Sequence, residues 1–218
     1  MDIQDIVNKE KAINRFARIT QFLTWPFIFI IFKLFFSIKI SGRENFGKVK
    51  SPFIIIANHL SFYDSFIFRL ALGFNTPHLP LRFMAVNKFD WKFLNFLAFL
   101  GIIDLVYSLF GVFTIVPGQG KGTWEAREII KSGGNIVIYP EGKIVHADGI
   151  GQFKKGAAVI SQQMNVEVIP VAFHLDKSSF IVRKLTINIG EAIQPNTNLT
   201  IEEQTTLFRK KLIELYKS

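Results

Sequence analysis

The sequence predicts an α/β protein: a mixed, largely parallel sheet flanked by helices, with a membrane-associating helical segment at its N-terminus. Short runs of apolar, β-branched residues alternate with longer segments of helical period. That alternation builds parallel strands joined by helical crossovers. The first 36 residues stand apart, moving from an amphipathic pattern into an almost unbroken apolar run. A chain of 218 residues suits one domain with a short appendage. The boundary is placed so that 1–37 form the membrane-associating helices and 38–218 the main domain.

Taken in order, residues 2–18 place Ile3, Ile6, Val7, Ala12, Ile13, Phe16 and Ala17 near helical spacing, with Lys9, Lys11, Arg15 and Arg18 among them. Residues 22–36 follow, interrupted by Pro26 and Lys33. Crossing a bilayer takes roughly 20 apolar residues, so this run is short of a span. The expectation is a monotopic helix or hairpin in the interface, its basic residues on headgroups; the alternative is an apolar helix packed on the domain. A signal peptide fits poorly, because the start is acidic and no small-residue cleavage site follows. Strands are expected at 38–41, 53–57, 82–86, 113–116, 135–139, 166–173 and 186–189. Helices are expected from Ser61 to about Gly73, as two short apolar pieces within 91–109, at 123–131, at 154–164 and from Thr200 onward. Thr200 and Glu203 have the spacing of a capping box.

Composition narrows the partners. Hydrophobic residues make up 49%, with 24 Phe, and the formal charge is +9. Mean hydropathy is +0.28 and the pI about 9.8. Positive charge favours a polyanionic partner, and high apolarity turns that towards anionic lipid or a phosphorylated substrate and away from nucleic acid. The absence of cysteine excludes disulfides, thiolate metal sites and Cys nucleophiles. His59, His78, His146 and His174 lack zinc-ligand spacing, and no Gly-x-Ser-x-Gly occurs, so no metal and no serine-hydrolase elbow is expected.

Three stretches carry candidate chemistry. His59 leaves the buried run 53–57, and Asp64 follows five residues later. On a continuous helix the two would be about 140° apart. They meet only if His59 lies in the loop and Asp64 in the first helical turn, as a general base and its orienting carboxylate. Ser61 and Asp64 also have capping-box spacing, and the capping and catalytic readings are compatible. Tyr139-Pro140-Glu141-Gly142 places a carboxylate at another strand exit, although an ordinary turn has the same residues. Gly118, Gly120 and Gly122 around Lys121 open a helix and could cradle phosphate, or serve as a linker; Lys121 is not followed by Ser or Thr, so this is no Walker loop. In parallel sheets, ligands sit beyond the carboxyl ends of the strands, where these three loops can converge.

Five blocks in order then resemble the glycerolipid acyltransferases of the 1-acyl-glycerol-3-phosphate acyltransferase type. His59 to Asp64 looks like their H-x4-D motif and Tyr139-Pro-Glu-Gly142 like their F-P-E-G block. Phe153-Lys-Lys-Gly-Ala157 resembles P-F-K-K-G-A, Val166–Val171 resembles V-P-I-V-P-V, and Ile187–Ile193 resembles the strand-turn ending in I-G-E-P-I. The resemblance covers roughly 38–215 and implies acyl transfer from acyl-CoA or acyl carrier protein to a lysolipid hydroxyl, with 1-acyl-glycerol-3-phosphate giving phosphatidic acid. His59 would be the general base and Asp64 its orienter. Glu141, Gly142, Lys143, Lys121 and Gly120 would bind substrate, and backbone N–H groups would stabilise the oxyanion. No resident cofactor is implied. The partners would be membrane lipids and the acyl donor, at the cytoplasmic face of a membrane. Two arginines that hold the acceptor's phosphate in the family are Pro117 and Ile144 here. Lys121, Lys143 and the glycine loop would then supply the charge, or the acceptor would carry no phosphomonoester. A thioesterase or lipase using the same pair, and a non-catalytic membrane-binding relative, are the other classes.

Overall fold

The computed structural model describes residues 3–61, 64–86, 92–115, 121–145, 149–176 and 183–218. Among the described residues, seven strands form one sheet: β1 (Phe36–Ser41), β2 (Ile54–Ala57), β3 (Leu81–Val86), β4 (Phe113–Ile115), β5 (Asn135–Ile138), β6 (Val168–Asp176) and β7 (Arg183–Ile189). Their order is β1-β7-β6-β2-β5-β3-β4. The block β6-β2-β5-β3-β4 is parallel throughout, β7 is antiparallel to β6, and β1 runs parallel to β7. The mixed, largely parallel sheet expected from the sequence is therefore present.

Each central strand is short, apolar and buried on both faces, as parallel strands covered by crossover helices must be. β2 divides its side chains between two cores. Ile55 and Ala57 pack with Phe68 of α2 (Asp64–Leu72) and with Phe32, while Ile54 and Ile56 pack with Ala126 and Ile129 of α5 (Lys121–Lys131), Ile160 of α6 (Gly156–Met164) and Phe208 of α7 (Ile201–Lys217). α7 opens with the expected capping box: Thr200 Oγ1 accepts from Glu203 N–H, and Glu203 Oε2 accepts from Thr200 N–H.

The N-terminal segment is one continuous helix, α1 (Ile3–Phe35), and not a hairpin. Residues 18–22 contain no helix breaker, and the chain passes through Pro26 without ending. Its amphipathicity is inverted. Glu10, Asn14, Ala17 and Gln21, spaced along one face, are buried against the domain, while Phe16, Ile19, Phe22, Leu23, Phe27, Ile30, Ile31, Leu34 and Phe35 are exposed. Glu10, Asn14 and Gln21 are all engaged. Arg82 Nη1 donates to Glu10 Oε2 (2.8 Å) and Asn14 Oδ1 (2.7 Å), and Gln21 exchanges hydrogen bonds with the Leu81 backbone. Arg69 donates to Gln21 O from α2 (2.9 Å), and burial pushes its guanidinium down to about 10. The expected pair of short apolar helices is α3 (Lys92–Phe99) and α4 (Ile102–Phe110), with Phe96, Phe99, Ile102, Leu105 and Val106 exposed.

Candidate active site

β2 and β5 are adjacent and parallel, so the loops leaving their carboxyl ends lie side by side. The first carries His59 and the second Glu141. Asn58, fully buried at the end of β2, is bonded to β6 in both directions: its Nδ2 donates to Phe173 O (2.9 Å) and its Oδ1 accepts from Phe173 N–H (2.8 Å). The next residue is therefore presented from a fixed point.

His59 Nδ1 lies 2.9 Å from Asp64 Oδ2. The same oxygen accepts from Leu60 N–H (2.7 Å) and Ser61 N–H (2.9 Å), while Ser61 Oγ donates to Oδ1. A carboxylate oxygen receiving two backbone donors is an acceptor, so Nδ1 carries the imidazole proton and Nε2 keeps its lone pair. Asp64 is fully buried in the first turn of α2, whereas 22% of the His59 side chain is exposed. The carboxylate that gathers the N–H groups before the helix is the one that holds the imidazole, but the expected capping box is only half made: Asp64 N–H donates to Ser61 O, and the Ser61 hydroxyl donates to Asp64.

Glu141 performs a related task on the other side. It is 5% exposed, its Oε2 accepts from His59 N–H (3.0 Å), and its Oε1 accepts from Gly151 N–H (2.7 Å). Val145 N–H donates to His59 O (2.9 Å), so the β5 loop grips the His59 backbone at both of its polar groups. Tyr139 stacks on the His59 ring with centroids 4.1 Å apart and 14° between planes. Its hydroxyl is buried towards Ser65, short of good hydrogen-bond geometry, and burial followed by the Asp64 charge pushes it well above the usual phenol range.

The structure thus brings His59, Asp64, Glu141 and Gly142 together, with Lys143 exposed on the same loop. Gly142 has φ +67°, and its N–H donates to Tyr139 O. Ile144 is half-buried. The glycine loop leaves β4, three strand positions from β2, or roughly 14 Å at the usual strand spacing. Gly118, Gly120 and Pro117 lie outside the described residues, as does His146; Lys121 is the first residue of α5. Among the described residues, no group of three or more His, Asp or Glu side chains is placed to hold a metal.

Sequence reasoning gave no role to Asn58, to the Tyr139 ring or to Gly151. Asn58 offered a signal, being a polar residue ending a buried strand, but its partner lies 115 positions away.

A family model described as Acyltransferase matches residues 37–174. A 1-acyl-sn-glycerol-3-phosphate acyltransferase of Chlamydomonas reinhardtii is 28% identical, over 75% of this chain and 49% of its own length. The chloroplastic enzyme of the same name from Arabidopsis thaliana is 26% identical, over 63% of this chain and 36% of its own. The beta form from Homo sapiens is 26% identical, over 81% and 63%. The chain thus spans between about a third and a half of the first two relatives. The crystal structure of the 1-acyl-sn-glycerophosphate acyltransferase PlsC from Thermotoga maritima has the same fold, with a TM-score of 0.60 and 23% identity over 96% of this chain and 80% of that one. With the family model matched over well over half of its length, the chain belongs to the acyltransferase family.

Proposed function

We propose that the protein transfers a fatty acyl group from an acyl thioester, acyl-CoA or acyl carrier protein, to the hydroxyl of a lysolipid, with 1-acyl-glycerol-3-phosphate giving phosphatidic acid. The observation that carries this reading is the His59–Asp64 pair, with Nδ1 held by a buried carboxylate and the Nε2 lone pair left for an incoming proton. His59 takes the acceptor's hydroxyl proton as its oxygen attacks the thioester carbonyl. The tetrahedral adduct collapses with cleavage of the C–S bond, and the imidazolium returns the proton to the leaving thiolate. Asp64 stabilises that imidazolium. Glu141 positions His59 through its backbone. The names of the relatives support this acceptor. Ile144 at a family arginine position favours a second reading, transfer to a lysolipid without a phosphomonoester.

The exposed faces of α1, α3 and α4 support attachment of residues 1–37 to a bilayer, from which both lipids reach the 38–218 domain. The cytoplasmic face is assigned because both classes of donor are found there. The test is mass spectrometry of products from purified protein given each donor with a panel of lysolipids. Acyl transfer abolished by His59→Ala supports the reading. Free fatty acid as the sole product would make the protein a hydrolase, and unimpaired transfer by the variant would remove His59 from the mechanism.

A further inference from the structure

The loss of two arginines leaves the acceptor's phosphate without its expected partners, and the block Phe153–Ala157 has so far been given no role. Its two lysines diverge. Lys155 pairs with Glu202 at the start of α7. Lys154 has no carboxylate partner among the described residues and turns instead to the β5 loop. A Cβ placed on Gly142 would fall inside the Lys154 side chain, against Nζ, Cε and Cδ. The ammonium therefore lies directly over the glycine that follows Glu141.

Two further features make this a place for an anion. The Lys154 backbone is anchored, its N–H donating to Pro140 O at 2.7 Å, and its solvent-exposed side chain reaches back over Gly142. Lys154 also precedes α6, a helix with no acidic residue in its first turn and no side-chain bond at its N-cap. The positive end of that helix adds to the charge of the ammonium. The Glu141 carboxylate is turned to the N–H groups of His59 and Gly151 and makes no ion pair with Lys154.

Resting on the acyl-transfer reading, we propose that Lys154 is a specificity-determining cation that grips the acceptor's phosphate. Gly142 is a glycine in part because any side chain would displace that ammonium. A lysine meets phosphate as a point charge without the two-pronged geometry of arginine, so the contact selects for charge more than for shape.

The test compares lysophosphatidate with 1-acylglycerol, the same lipid lacking phosphate, as acceptors for wild type, Lys154→Met, Lys154→Arg and Lys155→Met. The ratio of kcat/KM for the two acceptors is expected to fall about 10- to 100-fold in Lys154→Met, through KM for lysophosphatidate. It should recover in Lys154→Arg and stay at the wild-type value in Lys155→Met. Gly142→Ala should lower the ratio in the same direction. Lysophosphatidate binding in detergent micelles without donor, for wild type and Lys154→Met, needs no turnover and should weaken in parallel. A ratio and an affinity within twofold of wild type in Lys154→Met would overturn the proposal, as would a wild-type preference for 1-acylglycerol. Failure of the acyl-transfer reading would show separately, as transfer that survives His59→Ala.

Discussion

Under the proposed mechanism, Asp64 joins catalysis to stability in one side chain. Its Oδ2 holds the His59 ring and two backbone N–H groups inside the protein. Asp64→Asn keeps the shape but offers the imidazole an ambiguous partner, and transfer is expected to fall on the order of 10²–10⁴-fold with folding nearly unchanged, read by single-turnover assays and circular dichroism. Asp64→Ala leaves the Leu60 and Ser61 N–H groups without their acceptor and should also cost about 2–4 kcal/mol of stability in urea unfolding. A different residue governs an acid dependence. His78 is buried against Phe46 and Phe53, and desolvation lowers its imidazole below the ordinary 6.5, partly offset by a backbone hydrogen bond with Phe46. The unfolded chain then binds the extra proton first, so this contribution is complete above about 6.5 and is lost as pH falls from there towards the depressed folded value. Stability measured at pH 7.5 and 5.5 should differ less in His78→Phe than in wild type.

At the scale of elements, the first two-thirds of α1 docks on the domain mainly through polar contacts, while Ile28 and Phe32 towards its end join the main core. Removing Arg82 would strand the Glu10 carboxylate, Asn14 Oδ1 and Gly111 O, each of which now accepts from its guanidinium. Breaking one partner of a buried ion pair costs far more than the pair contributes, so Arg82→Met is expected to lose about 3–5 kcal/mol in thermal unfolding in detergent. A loss under 1 kcal/mol would mean that α1 docks by other means. The same polar face explains how the helix can turn Phe16, Phe22 and Phe27 outward: the side opposite them is satisfied by hydrogen bonds.

For the whole molecule, the exposed apolar side chains are carried on three helices packed in series, α1 on α4 and α4 on α3. Helix α1 is roughly 50 Å long by its rise per residue, longer than a hydrocarbon core of roughly 30 Å. Phe27 and Leu34, 68% and 66% exposed, take almost no part in the fold. Phe27→Ser with Leu34→Ser is expected to lower partition into anionic vesicles by about 100-fold, at about 1.5 kcal/mol for each side chain withdrawn from lipid, with unfolding stability unchanged. Equal partition in a flotation assay would place the bilayer elsewhere on the surface.

Local pattern alone was enough for the fold class, the strand-helix alternation, the Thr200 capping box and the candidacy of His59 with Asp64. These depend on local patterning, on period, on turn chemistry and on a spacing of five residues, all of which a linear reading sees. It left open whether Asp64 caps a helix or orients His59, and only the folded loop shows that one oxygen does both. It also left open whether residues 2–36 form a helix or a hairpin, because the deciding contacts run to Leu81, Arg82 and Arg69, far along the chain. The tertiary structure alone brought Glu141 to the His59 backbone, Tyr139 to its ring and Lys154 over Gly142. Each of these depends on which strands become neighbours in the sheet, and that is settled by the joint burial of residues distant in sequence.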